Sequence, residues 1–212
     1  MFNDSALSQY LFEGFEADVH KIENGWLHLH LSRDPAVIPR CSACGRHCTQ
    51  LYDHRHRRIR DRDFFDCRVM LHIQVGRVNC DTCGVRVQRI HWLSPNKRLT
   101  RRLQAHVEAL CRVLPVKHVA ALLELNWHTV KALDKQRLER ELGEPDWSSV
   151  RRLMMDEFAL FKGHRYATVV ADADTQEVLW VGEGRSREAI RPFFDVMTEY
   201  LTTDLNGMSL ID

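Results

Sequence analysis

The sequence lacks the segments that would send it into a membrane or out of the cell. No apolar run in its 212 residues is long enough to span a bilayer, and no basic segment precedes an apolar stretch at the N-terminus, as a signal peptide requires. It also lacks internal repeats and low-complexity tracts, and its five Trp and nine Phe argue against disorder. These absences predict a folded cytoplasmic protein, in which cysteines are more often thiols or metal ligands than disulfides.

Positive charge is concentrated in one part of a chain that is almost neutral overall. Between Arg40 and Arg102 there are 15 Lys and Arg against 5 Asp and Glu, whereas the other residues carry 15 against 24, for a formal net charge of +1. A basic block inside an acidic chain favours a polyanion as the partner of that block, although a solvated basic face would have the same composition.

Four of the seven cysteines form two CxxC pairs, CSACG and CDTCG, each followed by glycine. Zinc prefers four ligands in a tetrahedron and binds thiolates, and the glycine allows the tight turn that points backbone amides at sulfur. We therefore predict a closed structural zinc site without a catalytic role. His47 and Cys48 are alternative ligands, and four unliganded thiols or a redox pair are the other interpretations. The predicted zinc ligands are Cys41, Cys44, Cys80 and Cys83.

Two segments of the first 95 residues alternate apolar and polar side chains, as half-buried strands do. In GWLHLHLS, Leu27, Leu29 and Leu31 share one face, whereas His28 and His30 share the other, which we interpret as the solvated side. The segment FDCRVMLHIQVGRVNC alternates in the same way. Residues 1–95 are therefore predicted to form a zinc-binding β module, and SPNKR (94–98) is interpreted as a linker.

The segment HRHRRIRDRD (54–63) has the highest arginine density of the basic block, and further arginines flank the next helix. Because arginine binds phosphate oxygens well, this density predicts contact with nucleic acid. Internal pairing with Asp53, Asp61 and Asp63 is the alternative for part of the segment. The predicted DNA-contact residues of this block are Arg55, Arg57, Arg58, Arg60, Arg62, Arg101 and Arg102.

Residues 96–145 have helical periodicity, and HVAALLELNWHTVKAL (118–133) fits a helix-turn-helix. Val119, Ala120 and Leu123 are expected to face the partner helix, and Asn126 is expected to cap the recognition helix. The turn position that usually holds glycine is Glu124, and an ordinary helical hairpin is the alternative. The residues expected to face DNA from the recognition helix are Trp127, His128, Lys131 and Lys135.

Residues 146–212 change to three consecutive strands and a helix, and the first strand holds Asp156 and Glu157 in an apolar run. Unpaired carboxylates are costly to bury. An RNase H-like domain begins in this way, and its carboxylates hold two Mg²⁺ ions for an in-line displacement. We expect Asp156 to bind metal and Glu157 to point to the opposite face. Asp172 and Asp174 are interpreted as solvated turn formers.

The order of these parts resembles that of a known family. The cysteine pairs, VGRVNCDTCG, the helix-turn-helix and MDEFALFKGHRYATVVADADTQEVLWVGEGRSREAIRPFF resemble bacterial insertion-sequence transposases of the ISL-three group over roughly residues 35–200. The resemblance implies a zinc-binding domain, a helix-turn-helix and a DDE domain, which recognise terminal inverted repeats in double-stranded DNA and cleave and transfer strands. Asp156 matches the first catalytic acid. A nucleoid location in the bacterial cytoplasm follows, and a homo-oligomer is a further candidate partner.

The same resemblance puts the second and third catalytic acids beyond Asp212, so we expect a C-terminally truncated transposase that is inactive alone, and whether it is an enzyme stays open. The alternative is a zinc and helix-turn-helix regulator of transcription or inhibitor of transposition, without catalysis. The expected fold is multidomain α+β. Its domains are a zinc-binding β module (1–95), a helix-turn-helix module (96–145) and an incomplete RNase H-like domain of three strands and a helix (146–212).

Overall fold

A computed structural model of the protein describes residues 10–95, 98–143, 145–161, 163 and 165–207, which form two compact units. The first unit extends to Leu138 and the second begins at Glu139. The predicted zinc-binding and helix-turn-helix segments thus lie in one unit. None of the helices described is both long and apolar enough to cross a membrane.

The first unit contains a mixed sheet with the strand order β1-β2-β4-β3, and β5 pairs with β4. The β2–β4 pair is parallel and the other pairs are antiparallel. The elements are β1 (Phe15–Glu23), β2 (Trp26–Arg33), β3 (Leu51–Phe64), β4 (Cys67–Cys80), β5 (Gly84–Val87), α1 (Arg101–Cys111), α2 (Val116–Leu122) and α3 (Trp127–Glu141). The two strands expected from alternation are therefore confirmed as β2 and β4.

The core of the sheet lies on one of its faces. The buried residues on this face include Leu31, Ile59, Leu71 and Ile73. Leu31 pairs with Ile73, and Ile59 pairs with Leu71 two positions away on β4, so all four share a face, as cross-strand partners do. The histidines of β2 lie on the opposite face, as predicted.

Both ends of the segment interpreted as a linker are hydrogen-bonded to the rest of the first unit, whereas Asn96 and Lys97 within it lie outside the described residues. Leu93 and Thr100 pair as an antiparallel bridge, and the Ser94 amide donates to the Leu99 carbonyl at 3.0 Å. The Thr100 amide also donates to the Arg60 carbonyl at 3.1 Å, which fixes this segment to β3. Backbone pairing therefore anchors the ends of this segment, which its polar composition did not indicate.

The three helices after this connection share one core. Thr100 caps α1, since its side-chain oxygen accepts from the Leu103 amide. Val107, Val119 and Val130, one from each helix, have no measurable exposure. This core forms because apolar residues recur once per turn on each helix.

The second unit has an antiparallel sheet in the order β6-β7-β8, followed by a helix. The elements are β6 (Leu153–Phe161), β7 (Arg165–Asp172), β8 (Val178–Glu183) and α4 (Arg187–Gly207). This confirms the three strands and the helix expected from the sequence.

One face of this sheet packs against α4. The ring centroids of Trp180 on β8 and Phe193 on α4 are 5.9 Å apart, and Phe193 is fully buried. A Cβ at Gly182 would come within 1.9 Å of the Trp180 ring, so glycine at this position leaves room for the contact. Every residue of β6 is exposed in the described structure.

Candidate functional site

The two CxxC pairs converge on one point of the first unit. The sulfur atoms of the four cysteines lie within 4.8 Å of one another, and the Cys44 and Cys80 sulfurs are 3.6 Å apart. A tetrahedral ion with Zn–S bonds of about 2.3 Å would separate its sulfurs by about 3.8 Å. The cluster therefore has the ligand number and size that zinc requires, as predicted for Cys41, Cys44, Cys80 and Cys83.

Backbone geometry explains why each pair is followed by glycine. Gly45 and Gly84 have φ of +75° and +69°, in the left-handed region that glycine adopts at low cost. The Gly45 amide donates to the Cys41 carbonyl at 3.0 Å, which closes the first turn. The guanidinium of Arg46 donates to the Thr82 hydroxyl at 2.7 Å and ties the first turn to the second.

The protonation of the cluster is consistent with a cation site. Amides of Cys83 and Thr82 lower the pKa of the Cys80 thiol to about 6. The pKa of the Cys83 thiol is raised to about 12, chiefly by a hydrogen bond between Cys83 and Cys44 and to a smaller extent by burial. Four thiols at this spacing can ionise together only when a positive charge lies between them.

The alternative ligands lie outside this group of four. Cys48 is buried, and its sulfur donates to the Arg46 carbonyl at 3.6 Å. Burial raises the pKa of this thiol, and its sulfur is outside the group of four that lie within 4.8 Å of one another. His47 is likewise outside the group. Cys67 and Cys111 pack against apolar clusters.

The arginine-rich segment forms most of β3, and its side chains have different environments. Arg55, Arg58 and Arg62 are exposed, and Arg57 is half-buried. Arg60 is 6% exposed, forms an ion pair with Asp63, and its guanidinium carbon lies 5.2 Å from the centroid of the Trp26 ring. Arg60 is thus engaged inside the protein rather than available to a phosphate.

Arg102 is also engaged, and its partner is Asp61, one of the three aspartates that the sequence offered for internal pairing. Asp61 is 1% exposed and accepts from Arg102 Nε at 2.7 Å and from the Thr100 hydroxyl at 2.6 Å. The Arg62 amide donates to the same carboxylate at 2.8 Å. Asp61 therefore joins β3 to the start of α1. The neighbouring Arg101 is exposed.

The recognition helix α3 begins as the sequence predicted. Asn126 accepts from the His128 amide at 2.9 Å and caps the helix. Trp127, His128, Lys131 and Lys135 are all exposed, and the Lys131 ammonium lies 5.1 Å from the centroid of the Trp127 ring. This gives α3 a basic, aromatic surface, while Val130 and Leu133 are buried on its other side.

The turn before α3 holds a residue with an unusual conformation. Glu124 has φ of +49°, which explains why glycine is common at this position of the motif. Its carboxylate forms an ion pair with Arg68 of β4 at 2.6 Å. The helix-turn-helix therefore contacts the sheet through this turn as well as through Asp61.

Asp156 lies on the face of β6 that is opposite to α4. Met155, Val170 and Trp180 are cross-strand partners on the helix side, whereas Asp156 pairs with Val169 on the other face. Both Asp156 and Glu157 are exposed, and alternation puts Glu157 on the helix side, as expected. Among the described residues, Asp156 belongs to no group of three or more metal-ligating side chains.

The interpretation of Asp172 as a solvated turn former is wrong. Asp172 is 2% exposed at the end of β7, and its carboxylate accepts from the Asp174 amide at 2.8 Å. Asp174 is exposed and pairs with Arg152. The turn is thus built on a buried aspartate, whose cost of burial is offset by the backbone donor that it accepts from.

These features combine a cluster of four cysteines that could hold a metal ion with a helix-turn-helix, and a second unit of α/β type. Two family models agree with the division. Residues 88–138 match the helix-turn-helix domain of transposase family ISL3, and residues 153–205 match the transposase domain of the DDE type from the same family.

Two relatives have similar sequences. The transposase of insertion sequence element IS1001 from Bordetella parapertussis is 48% identical over 161 residues, which are 76% of this chain and 40% of that protein. The transposase of IS1557 from Mycobacterium tuberculosis is 29% identical over 171 residues, or 76% of this chain and 37% of the relative. The chain thus spans about two fifths of the length of these curated relatives. It belongs to the ISL3 group of insertion-sequence transposases. No solved structure matches it significantly.

Proposed function

We propose that this chain recognises the terminal inverted repeats of an insertion sequence and takes part in DNA transposition in the bacterial cytoplasm, at the nucleoid. The observation that carries the proposal is the surface of α3, where Trp127, His128, Lys131 and Lys135 are exposed at the start of a capped recognition helix. A recognition helix reads bases from residues of its N-terminal part, and lysines there contact phosphates.

We assign zinc to the cysteine cluster as a structural ion. Four thiolates close the coordination sphere, so the ion has no open position and stabilises the fold rather than a reaction. The zinc module also supplies phosphate contacts from Arg55, Arg57, Arg58 and Arg62, and Arg101 adds another at the start of α1. We leave Arg60 and Arg102 out of this set because both are held by aspartates.

Asp156 is proposed as the first metal-binding acid of an RNase H-like DDE site that uses Mg²⁺. The support is its position on a strand of a three-stranded sheet, on the face opposite to the helix. Two metal ions would stabilise the attacking and leaving oxygens of the strand-transfer reaction. One carboxylate does not hold two such ions, so we propose that Asp156 acts together with further carboxylates.

The proposal is tested with fluorescence anisotropy on a duplex that carries the ends of the insertion element and on a random duplex of the same length. Lys131→Ala and Lys135→Ala should each weaken binding to the element ends by about tenfold or less at a fixed salt concentration. Lys21→Ala is the matched control, because it removes an exposed lysine that pairs with Glu23 on β1. Equal affinity for both duplexes would contradict sequence-specific recognition.

The second candidate function is a DNA-binding regulator or inhibitor of transposition without catalysis, which is favoured by the isolation of Asp156 from other described ligand groups. A Mg²⁺-dependent nicking assay on the same duplex separates the two functions. Nicking that Asp156→Ala abolishes and Glu157→Gln retains would support catalysis by this chain. Specific binding with no nicking would support the regulator.

A further inference from the structure

The polar face of the first sheet carries a row of histidine and arginine side chains in direct register. His30 on β2 pairs with His72 on β4, and His72 pairs with Arg58 on β3. The rings of His30 and His72 are stacked with centroids 4.6 Å apart. Cross-strand partners lie on the same face of a sheet, so these three side chains form one continuous surface.

This row lies in an open cleft with a volume of about 710 Å³. The residues lining the cleft include four histidines and basic side chains of β3, and no Asp or Glu is among them. The lining residues on the polar face that carry the inference are His30, His54, His56, His72 and Arg58. A concave surface lined by groups of one sign concentrates ligands of the opposite charge.

We propose that this cleft binds the phosphate backbone of DNA that flanks the segment contacted by the recognition helix. It would be a second DNA-binding site of the chain, and the proposal rests on DNA binding by the helix-turn-helix. Neutral imidazole and imidazolium both donate hydrogen bonds to phosphate oxygens, and Arg58 adds a charged, forked donor.

Continuity with the helix-turn-helix favours DNA over a small anion. Arg68 lies on the same face of β4 as His72 and forms the ion pair with Glu124, three residues before α3 begins. Four residues of strand separate Arg68 from His72, or about 13 Å. A duplex bound at α3 can therefore extend along the polar face to the cleft.

Metal binding is the other chemistry that a histidine cluster suggests. His28 Nδ1 and His72 Nε2 are 2.9 Å apart and share a hydrogen bond, so one nitrogen of each ring is engaged in this contact and is not available to a metal ion. Among the described residues, the four cysteines alone bring three or more ligand atoms together. The charge of the cleft and this geometry favour phosphate.

The test compares a short duplex that holds only the segment for the recognition helix with one extended by about one helical turn, about 10 bp. The cleft variant combines Arg58→Gln with His72→Gln. The control combines Arg86→Gln with His91→Gln, which removes the same groups from exposed positions outside the cleft. Circular dichroism and zinc content establish that both variants fold.

We expect the cleft variant to lose about tenfold more affinity on the extended duplex than on the short one. The slope of log affinity against log salt should fall by about one per phosphate contact removed.

The cleft proposal would be overturned if the cleft variant lost equal affinity for both duplexes, or none, in an experiment in which Lys131→Ala weakened binding to both. Failure of the unaltered protein to prefer element ends, together with no effect of Lys131→Ala, would instead contradict the proposed function. Zinc content is the second measurement. If the unaltered protein binds a second zinc, and the variant that combines His30→Gln with His72→Gln does not, then the cleft is a metal site and phosphate binding is refuted.

Discussion

Asp61 should be among the most sensitive positions of the first unit, because it joins the sheet to the helix-turn-helix. Its carboxylate is 1% exposed and accepts from Thr100, Arg102 and the Arg62 amide. Asp61→Ala leaves the buried Thr100 hydroxyl without this acceptor, which should destabilise the protein by about 1–3 kcal/mol. It also removes the hydrogen bonds with the charged Arg102, which should cost a further amount of about 1.5–3 kcal/mol. Arg102 is 32% exposed and can regain water, so the sum is about 3–5 kcal/mol.

A loss of this size should be measured by urea unfolding and by thermal unfolding, in which the melting temperature would fall by roughly 10 °C or more. Arg102→Ala and the double variant complete a cycle, whose coupling energy should be about 1–3 kcal/mol. Asp66→Ala is the control, since this exposed aspartate follows β3 and should change stability by about 0.5 kcal/mol or less. A loss below about 1 kcal/mol for Asp61→Ala, with an unchanged urea slope, would refute the reasoning.

Three further predictions concern the metal centre, the helix-turn-helix and the sheet. Cys80→Ser should abolish the binding of about one zinc per chain, whereas Cys111→Ser, outside the cluster, should retain it; equal zinc content by elemental analysis would contradict the site. Because φ of Glu124 is +49°, Glu124→Gly should be about 1 kcal/mol more stable to urea than Glu124→Ala, which keeps the strain. A hydrogen bond from Arg77 lowers the pKa of Asp53 in the folded protein. The pair therefore stabilises the protein fully at pH values above the unfolded pKa of about 3.9, and this stabilisation is lost as the pH falls through the folded pKa. Asp53→Asn should therefore destabilise the protein at pH 7, and this destabilisation should shrink as the pH falls below about 3.9; an effect that does not shrink in acid would exclude the pair as the cause.

Sequence patterns predicted the parts of this fold in which one local signal dominates. Alternation predicted β2 and β4 because apolar residues occupy one face only, and the Asn126 cap followed from its position before the apolar stripe of α3. The two CxxC turns predicted that four cysteines converge, because zinc needs four ligands and each turn supplies two thiols.

The parts that the sequence did not predict depend on pairing between distant residues. Strand β3 has arginines on both faces, so it lacks the alternation by which strands are recognised. The role of Asp61 needs Thr100 and Arg102, which lie about forty residues further along the chain. The burial of Asp172 was concealed because aspartate beside a turn is usually solvated.

The ion pairs of β3 explain how a strand with so many arginines can be stable. Asp61 and Asp63 hold Arg102 and Arg60, while Arg58 points from the polar face and forms no ion pair with the described residues. Arginines that an aspartate holds fix the strand and the helices that follow it. Those that lack such a partner keep the positive charge that a polyanion would neutralise. The same segment can therefore stabilise the first unit and still present charge for the DNA contact proposed above, because aspartates hold only some of these arginines.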